Sequence, residues 1–209
     1  MGNAEKYLKF YKKKPGNKIT KKELELIESR LKGCKKILSV GCGPAVLEAE
    51  FNRLHKDMEI TGLDISGEML EQAPKSFHTV QGDAQNLNFD GQTFDAVLYL
   101  TSLEFIPDYK KAIKEAYRTL KGKGKILVMM LNPESDYFRE KYANENSYIR
   151  GNIKHMDIHA IKDFMLHYFY IKSEGYFLGI KDGKVMESND PKTASLYILE
   201  GIKNGERRK

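Results

Sequence analysis

The residues best placed to do chemistry stand at the ends of apolar runs. Residues 37–48 read ILSVGCGPAVLE: Ile37, Leu38 and Val40 lead into Gly41-Cys42-Gly43, and Pro44 opens an amphipathic stretch through Ala45, Val46, Leu47 and Phe51. This is the pattern of a buried parallel strand, a tight glycine turn and a helix start, with Pro44 in the first helical turn. Glycines at 41 and 43 let the backbone take angles that a side chain forbids, and they let a ligand approach the main chain closely. Asp64 closes the next run, residues 58–63, at about the distance beyond the turn at which a carboxylate reaches ribose hydroxyls. So placed, it disfavours a 2′-phosphate and suits an unphosphorylated adenosine. Asp83 follows a third run, residues 77–81, where it can accept from an adenine amino group, and Ile65, Met69 and Ala84 offer apolar contacts to the ring. Either aspartate alone reads as a helix or turn cap. Two of them after successive strands, in register with a glycine turn, read as a ligand site.

These residues need a scaffold in which strand ends converge. Strand patterns continue at residues 94–100 and 125–131, and helical patterns at residues 66–73 (capped by Ser66) and 107–120 (ending near Gly122). Strands alternating with helices call for a doubly wound α/β fold with a mostly parallel sheet covered on both faces. Leu100 and Thr101, ending the fourth strand, then meet Gly41, Asp64 and Asp83 in one crevice. Upstream, Ala4, Tyr7, Leu8 and Tyr11 suggest a short helix over residues 4–13, broken by residues 13–17. Thr20 and Glu23 form a capping-box pattern for the next helix, whose stripe is Leu24, Ile27 and Leu31 and whose end suits Gly33. Downstream, residues 132–152 read as a long polar, tyrosine-rich connection, and residues 158–168 as a helix. The remainder is β-like at residues 176–180, 185–186 and 195–202, with Asp182-Gly183 as a hairpin signal, so antiparallel strands finish the sheet.

With 209 residues and an ordinary globular composition, the simplest organisation is one domain. Its parts are a basic helical leader (1–36), a ligand-binding core (37–131) and a segment for a second substrate with the C-terminal strands (132–209). No apolar run approaches a membrane span of ~20 residues. Cys34 and Cys42 have no metal-like grouping with histidine and form no disulfide framework, which places the protein in the cytoplasm with reduced thiols. Residues 1–36 hold 12 Lys/Arg against 4 Glu, so the net charge of +6 belongs to the leader. No aromatic-basic recognition motif accompanies it, and a solvated helix face is favoured over a nucleic-acid patch.

The segments ILSVGCGPA, ITGLDIS, VQGDAQNLNF, FDAVLYLTSLEFI and AYRTLKGKGKILVMML, in this order and spacing, resemble the signature segments of class I S-adenosylmethionine-dependent methyltransferases. The resemblance covers residues 37–131. It implies a Rossmann-like, seven-stranded sheet whose last strand is inserted antiparallel. It also implies S-adenosylmethionine as cofactor and S-adenosylhomocysteine as product. Gly41, Cys42 and Gly43 would line the methionine moiety, Asp64 would bind the ribose, and Asp83 with Ala84 would flank the adenine. Leu100 and Thr101 would lie beneath the sulfonium. The family usually has an acidic residue where Ser39 stands and a third glycine where Ala45 stands. Phe105 occupies a position where relatives often carry histidine, and no catalytic role is assigned to it.

Methyl transfer asks mainly for in-line placement of a nucleophile, and for a base only when the acceptor must lose a proton. Candidates from the variable segment are Tyr137, Tyr142, Tyr148, His155 and His159, with His155 the single choice for an acceptor contact or base. The alternative for His155 is a histidine bonding locally near a helix start. No metal site is expected from His155 and His159, because a helix start separates their directions. The leading reading is methylation of a small-molecule acceptor. The alternatives are methylation of RNA or protein docked through the basic leader, or a non-catalytic cofactor-binding protein, suggested by Ser39 and Ala45. A nicotinamide dehydrogenase is weaker, since Val46 falls where the dinucleotide fingerprint places its last glycine.

Overall fold

The computed structural model describes residue 8, residues 16–181 and residues 183–205. The apolar runs become β1 (Lys36–Val40), β2 (Glu59–Asp64), β3 (Thr79–Gln81), β4 (Phe94–Leu100) and β5 (Leu120–Leu131), all paired in parallel. The C-terminal strands are β6 (Phe169–Lys181), β7 (Lys184–Met186) and β8 (Ala194–Lys203). They give one eight-stranded sheet in the order β3-β2-β1-β4-β5-β8-β6-β7, with β8 antiparallel to both β5 and β6. The frame is the expected doubly wound one with antiparallel C-terminal strands. It carries one strand more than seven, because the hairpin around Gly183 adds the three-residue β7 at the edge. Asp182 of that hairpin lies outside the described residues.

Helices cover both faces. On one side α4 (Tyr109–Thr119) and α7 (Ile158–Met165) bury Ile113, Ala116, Ile161 and Met165 against Val97, Tyr99 and Val128. On the other, α1 (Gly16–Arg30) with the adjoining Leu31, and α2 (Val46–Leu54), bury Ile27, Leu31, Leu47 and Phe51 against Ile37, Leu98 and Leu127. Neighbouring strand residues thus serve opposite cores, as the two-residue period of a strand requires. The strand order reverses between β1 and β4, and a crevice forms at such a switch point, outside the carboxyl ends.

Several local expectations give way to tertiary packing. The α1 helix begins at Gly16, so Thr20 is not its cap; its hydroxyl donates back to the Gly16 carbonyl at 3.0 Å. Ile19 extends the buried stripe of Ile27 and Leu31 upstream through Glu23, and burial of that face carries the helix across Thr20. Pro44 precedes the first turn of α2 rather than sitting in it. Residues 120–124 belong to β5 rather than to the end of α4, joined through an irregular register between Leu120 and Lys125. Residues 132–152 are not an irregular connection, because Ser135 and Ser147 cap two short helices, α5 (Asp136–Ala143) and α6 (Tyr148–Asn152). The strand expected at residues 176–180 starts earlier, at Phe169. The helix expected over residues 4–13 lies outside the described residues apart from Leu8. Part of the basic leader is matched locally: Arg30 reaches the buried Glu200 at 3.0 Å, Lys22 pairs with Glu187 at 2.9 Å, and Lys35 with Asp57 at 2.6 Å.

Candidate functional site

The turn after β1 is built from left-handed residues, Gly41 at φ 73°, Gly43 at φ 54° and Ala45 at φ 50°. Gly41 and Cys42 donate to the Leu63 carbonyl at 2.7 and 3.0 Å, which draws the turn onto β2. A Cβ on Gly41 would stand 2.5 Å from the Ser102 Cβ, while the Ser102 hydroxyl donates to the Val40 carbonyl at 2.6 Å. The turns after β1 and β4 are therefore locked together, and only glycine fits at 41. Thr101 is itself left-handed at φ 49°, a rare state for a β-branched residue, held by its N–H on the Met129 carbonyl at 2.7 Å. The Cys42 thiol packs against Gly62, and burial pushes it far above the usual thiol range.

At the outer end, Asp64 accepts from Gly43 N at 2.7 Å with one oxygen and from Ser66 N at 2.8 Å with the other. One lone pair per oxygen remains, the arrangement needed to accept two vicinal hydroxyls. Beside it Ile65 is 68% exposed, an apolar surface without a cover. Met69 follows in the single-turn α3 (Gly67–Leu70), capped by Ser66. Gly82 N donates to the Asp64 carbonyl at 3.0 Å, which brings the Asp83 turn alongside. Asp83 accepts from Gln85 N at 2.8 Å and from the Gln85 amide at 3.0 Å, so it caps its own turn; Ala84 is buried in the core.

At the inner end, Gly41, Cys42, Leu100 and Thr101 line a cavity of about 10 Å³ together with Glu23, Leu47, Glu48 and Met129. That is room for about one water molecule. Both carboxyls are buried. Glu48 accepts from the Ser39 hydroxyl at 2.8 Å, and among the described residues the Glu23 Oε2 has no partner. Burial pushes both up to about 7; the charge of Glu48 adds to the effect on Glu23, and that of Asp64 to the effect on Glu48. Tyr137 on α5 is held up to about 12, first by burial and then by Glu140 and Glu23, so α5 closes over this end.

Residues 38–128 match the methyltransferase domain family, a stretch that runs from β1 into β5. An uncharacterized methyltransferase of Bacillus subtilis is 29% identical over 143 residues, 66% of this chain and 77% of the relative. A demethylmenaquinone methyltransferase of Thermotoga maritima is 33% identical over 102 residues, 47% of this chain and 44% of the relative, so the alignment spans less than half of that protein. Among solved structures, a Thermotoga maritima S-adenosylmethionine-dependent methyltransferase superposes with a TM-score of 0.77 at 23% identity, covering 97% of this chain and 96% of the other. The chain carries a methyltransferase domain and has the fold of S-adenosylmethionine-dependent methyltransferases.

The residues at this crevice fit S-adenosylmethionine on structural grounds. The glycine cradle, a carboxylate with two lone pairs beside an open apolar surface, and an unpartnered buried carboxylate oxygen lie along one crevice. Sequence reasoning missed Glu23, Glu48, Ser102 and Glu104. Glu104, in the turn Leu103–Phe105, accepts from Leu131 N at 2.9 Å, while its carbonyl accepts from Lys154 N and His155 N at 3.0 Å each. Burial pushes its carboxyl up to about 7. It ties β5 and the segment leading into α7 to the turn after β4.

His155 is anchored to the segment after β4. Its Nε2 lies 3.0 Å from the Ile106 carbonyl and 3.1 Å from that of Pro107, and its ring packs edge-on against Tyr109. These partners are 49 and 48 residues away, so the ring is not bonded locally at its helix start, and His155 does not line the cavity beneath Thr101. His159 packs on Tyr197, and Tyr142 stacks on Phe138. Tyr148 is different. Its ring lies 5.8 Å from Phe105, and partial burial, then the Asp64 charge, raises its hydroxyl. Among the described residues, no group of three His, Cys, Asp or Glu is arranged to hold a metal ion.

Proposed function

We propose that this protein binds S-adenosylmethionine in the crevice between β1, β2 and β4 and transfers its methyl group to a small-molecule acceptor in the cytoplasm. The observation that carries the reading is the convergence of the Gly41–Gly43 turn, the doubly accepting Asp64 and the Leu100–Thr101 strand end on one crevice. When bound, the cofactor supplies a methyl group already activated by its sulfonium. Asp64 accepts from the ribose hydroxyls, Ile65 and Met69 offer the ring an apolar face, and Asp83 stands beside it. Thr101 and Gly41 set the floor against which a nucleophile is aligned, and alignment at near-contact distance supplies most of what the reaction asks. Glu104 and His155 act as positioning residues that hold the wall on the acceptor side, and no general base is assigned.

The small-molecule reading is supported by the acceptor side itself. It is closed by short helices of the same chain, with the Phe105–Tyr148 pair as an aromatic wall, and one relative is named for a quinone precursor. Several cations of the leader are engaged by Glu187, Glu200 and Asp57, which leaves less charge for nucleic acid. The test is transfer of radiolabelled methyl from the cofactor to a panel of quinols, amines, thiols and carboxylic acids, beside total RNA and unfractionated protein. Label in a small organic product supports the reading; label confined to RNA or protein overturns it.

A further inference from the structure

We propose that Glu23 and Glu48 together seat the ammonium group of the cofactor's aminoacyl tail, which makes α1 part of the cofactor site although it lies outside the matched domain. The inference rests on the cofactor reading above and goes beyond it in naming the residues. Glu23 is 6% exposed and Glu48 5%, and both line the same 10 Å³ cavity beside Gly41 and Thr101. Among the described residues no basic side chain pairs with either, and the Glu23 Oε2 is buried without a partner. Two carboxyls sharing a buried space without a counter-charge are costly unless they hold protons or share a cation.

The geometry selects the cation. A space of about one water suits a compact head group, and an ammonium brings one positive charge with three donors. A divalent metal would ask for six or so oxygen ligands, which this cavity does not assemble. Glu48 already receives the Ser39 hydroxyl, so its remaining lone pairs and the free Glu23 oxygen are the acceptors on offer. The groups facing them are Tyr137 from α5 towards Glu23, and Ser39 from β1, Cys42 and Asp64 towards Glu48. None of these supplies a positive charge. In the free protein both carboxyls are pushed up to about 7. A bound ammonium favours their anionic forms, so binding releases protons near neutrality and tightens as pH rises from about 6 to 8.

The test is calorimetric titration of the full chain with three ligands: S-adenosylhomocysteine, its analogue with hydrogen in place of the amino group, and 5′-methylthioadenosine. Titrations in two buffers of different ionisation enthalpy count the protons released. The expected result is about tenfold tighter binding of the amino compound than of the desamino one, with proton release for the former alone. Glu23→Gln and Glu48→Gln should each weaken the amino compound about fivefold or more and leave the desamino analogue within about twofold. Equal affinity of the wild type for both compounds, or a Glu23→Gln variant that weakens both alike, overturns the proposal while methylthioadenosine binding preserves the cofactor reading. Failure of all three ligands to bind overturns both. The wild-type comparison needs no variant, so a misfolded mutant does not shield the idea.

Discussion

At the outer end of the crevice Asp64 gives both oxygens to main-chain N–H groups beside the exposed Ile65, whereas at the inner end Glu23 and Glu48 are buried with an oxygen to spare. The functional group is the same at both ends and its physical state is opposite. The outer carboxylate is hydrogen-bonded and reaches solvent, so it costs little when no ligand is present. The inner pair is desolvated, and the cost of keeping it there is relieved by protons or by a cation. On the proposed reading one end is a preformed recognition group, and the other couples ligand, proton and stability.

The largest effect that can break this contrast is at the outer end. Asp64→Ala removes two acceptors for ribose hydroxyls and the acceptor of Gly43 N and Ser66 N, so the cofactor dissociation constant should rise about a hundredfold. Asp83→Ala, where the carboxylate is engaged by Gln85, should raise it only about threefold to tenfold. Equal losses in the two variants, measured by calorimetry, would contradict the division of roles.

A second, intermediate effect sharpens the inner end. The ordinary glutamate range is near 4.5, and Glu48 is pushed up to about 7 in the folded chain. Between those values the folded state holds a proton that the unfolded chain has lost, so this group's stabilising contribution falls as pH rises and is spent above about pH 7. Thermal unfolding of the ligand-free protein at pH 5, 6, 7 and 8 should show Glu48→Gln gaining several degrees on the wild type across that window. Parallel curves would mean that the carboxyl ionises as it does in water.

The smallest effect concerns the turn between the two ends. Ala45 holds φ 50° and ψ 37°, a state that costs a non-glycine residue about 1 kcal/mol. Ala45→Gly should therefore add about 0.5 kcal/mol or more of stability in denaturant titration, after the offset from glycine's larger unfolded-state entropy. A clear loss of stability would show that the methyl group packs better than the backbone strain costs.

The outer end was legible in the sequence because strand ends carry it. Apolar runs locate β1, β2 and β4, and Gly41, Asp64 and Thr101 are simply the residues at which those runs stop. The inner end was hidden. Glu23 interrupts the four-residue spacing of Ile19, Ile27 and Leu31, which is a signal, but the Thr20–Glu23 capping pattern offers a competing local use for the same carboxylate. Only the packing of α1 over the crevice decides between them. Glu48 likewise follows Leu47 on the buried side of α2, where periodicity alone cannot assign a role. The structure of His155 depends on carbonyls 49 and 48 residues away, and no local pattern reports such partners. The strands after the core were readable as well, β7 included, because residues 185–186 follow a hairpin signal, whereas the count of seven belongs to the family resemblance alone.

The most direct test of the whole reading is titration of the purified protein with S-adenosylmethionine, S-adenosylhomocysteine and NAD. Saturable binding of both sulfur compounds at one site per chain, with no heat from NAD, is the expected result. Absence of binding by either sulfur compound, or preference for NAD, would contradict it.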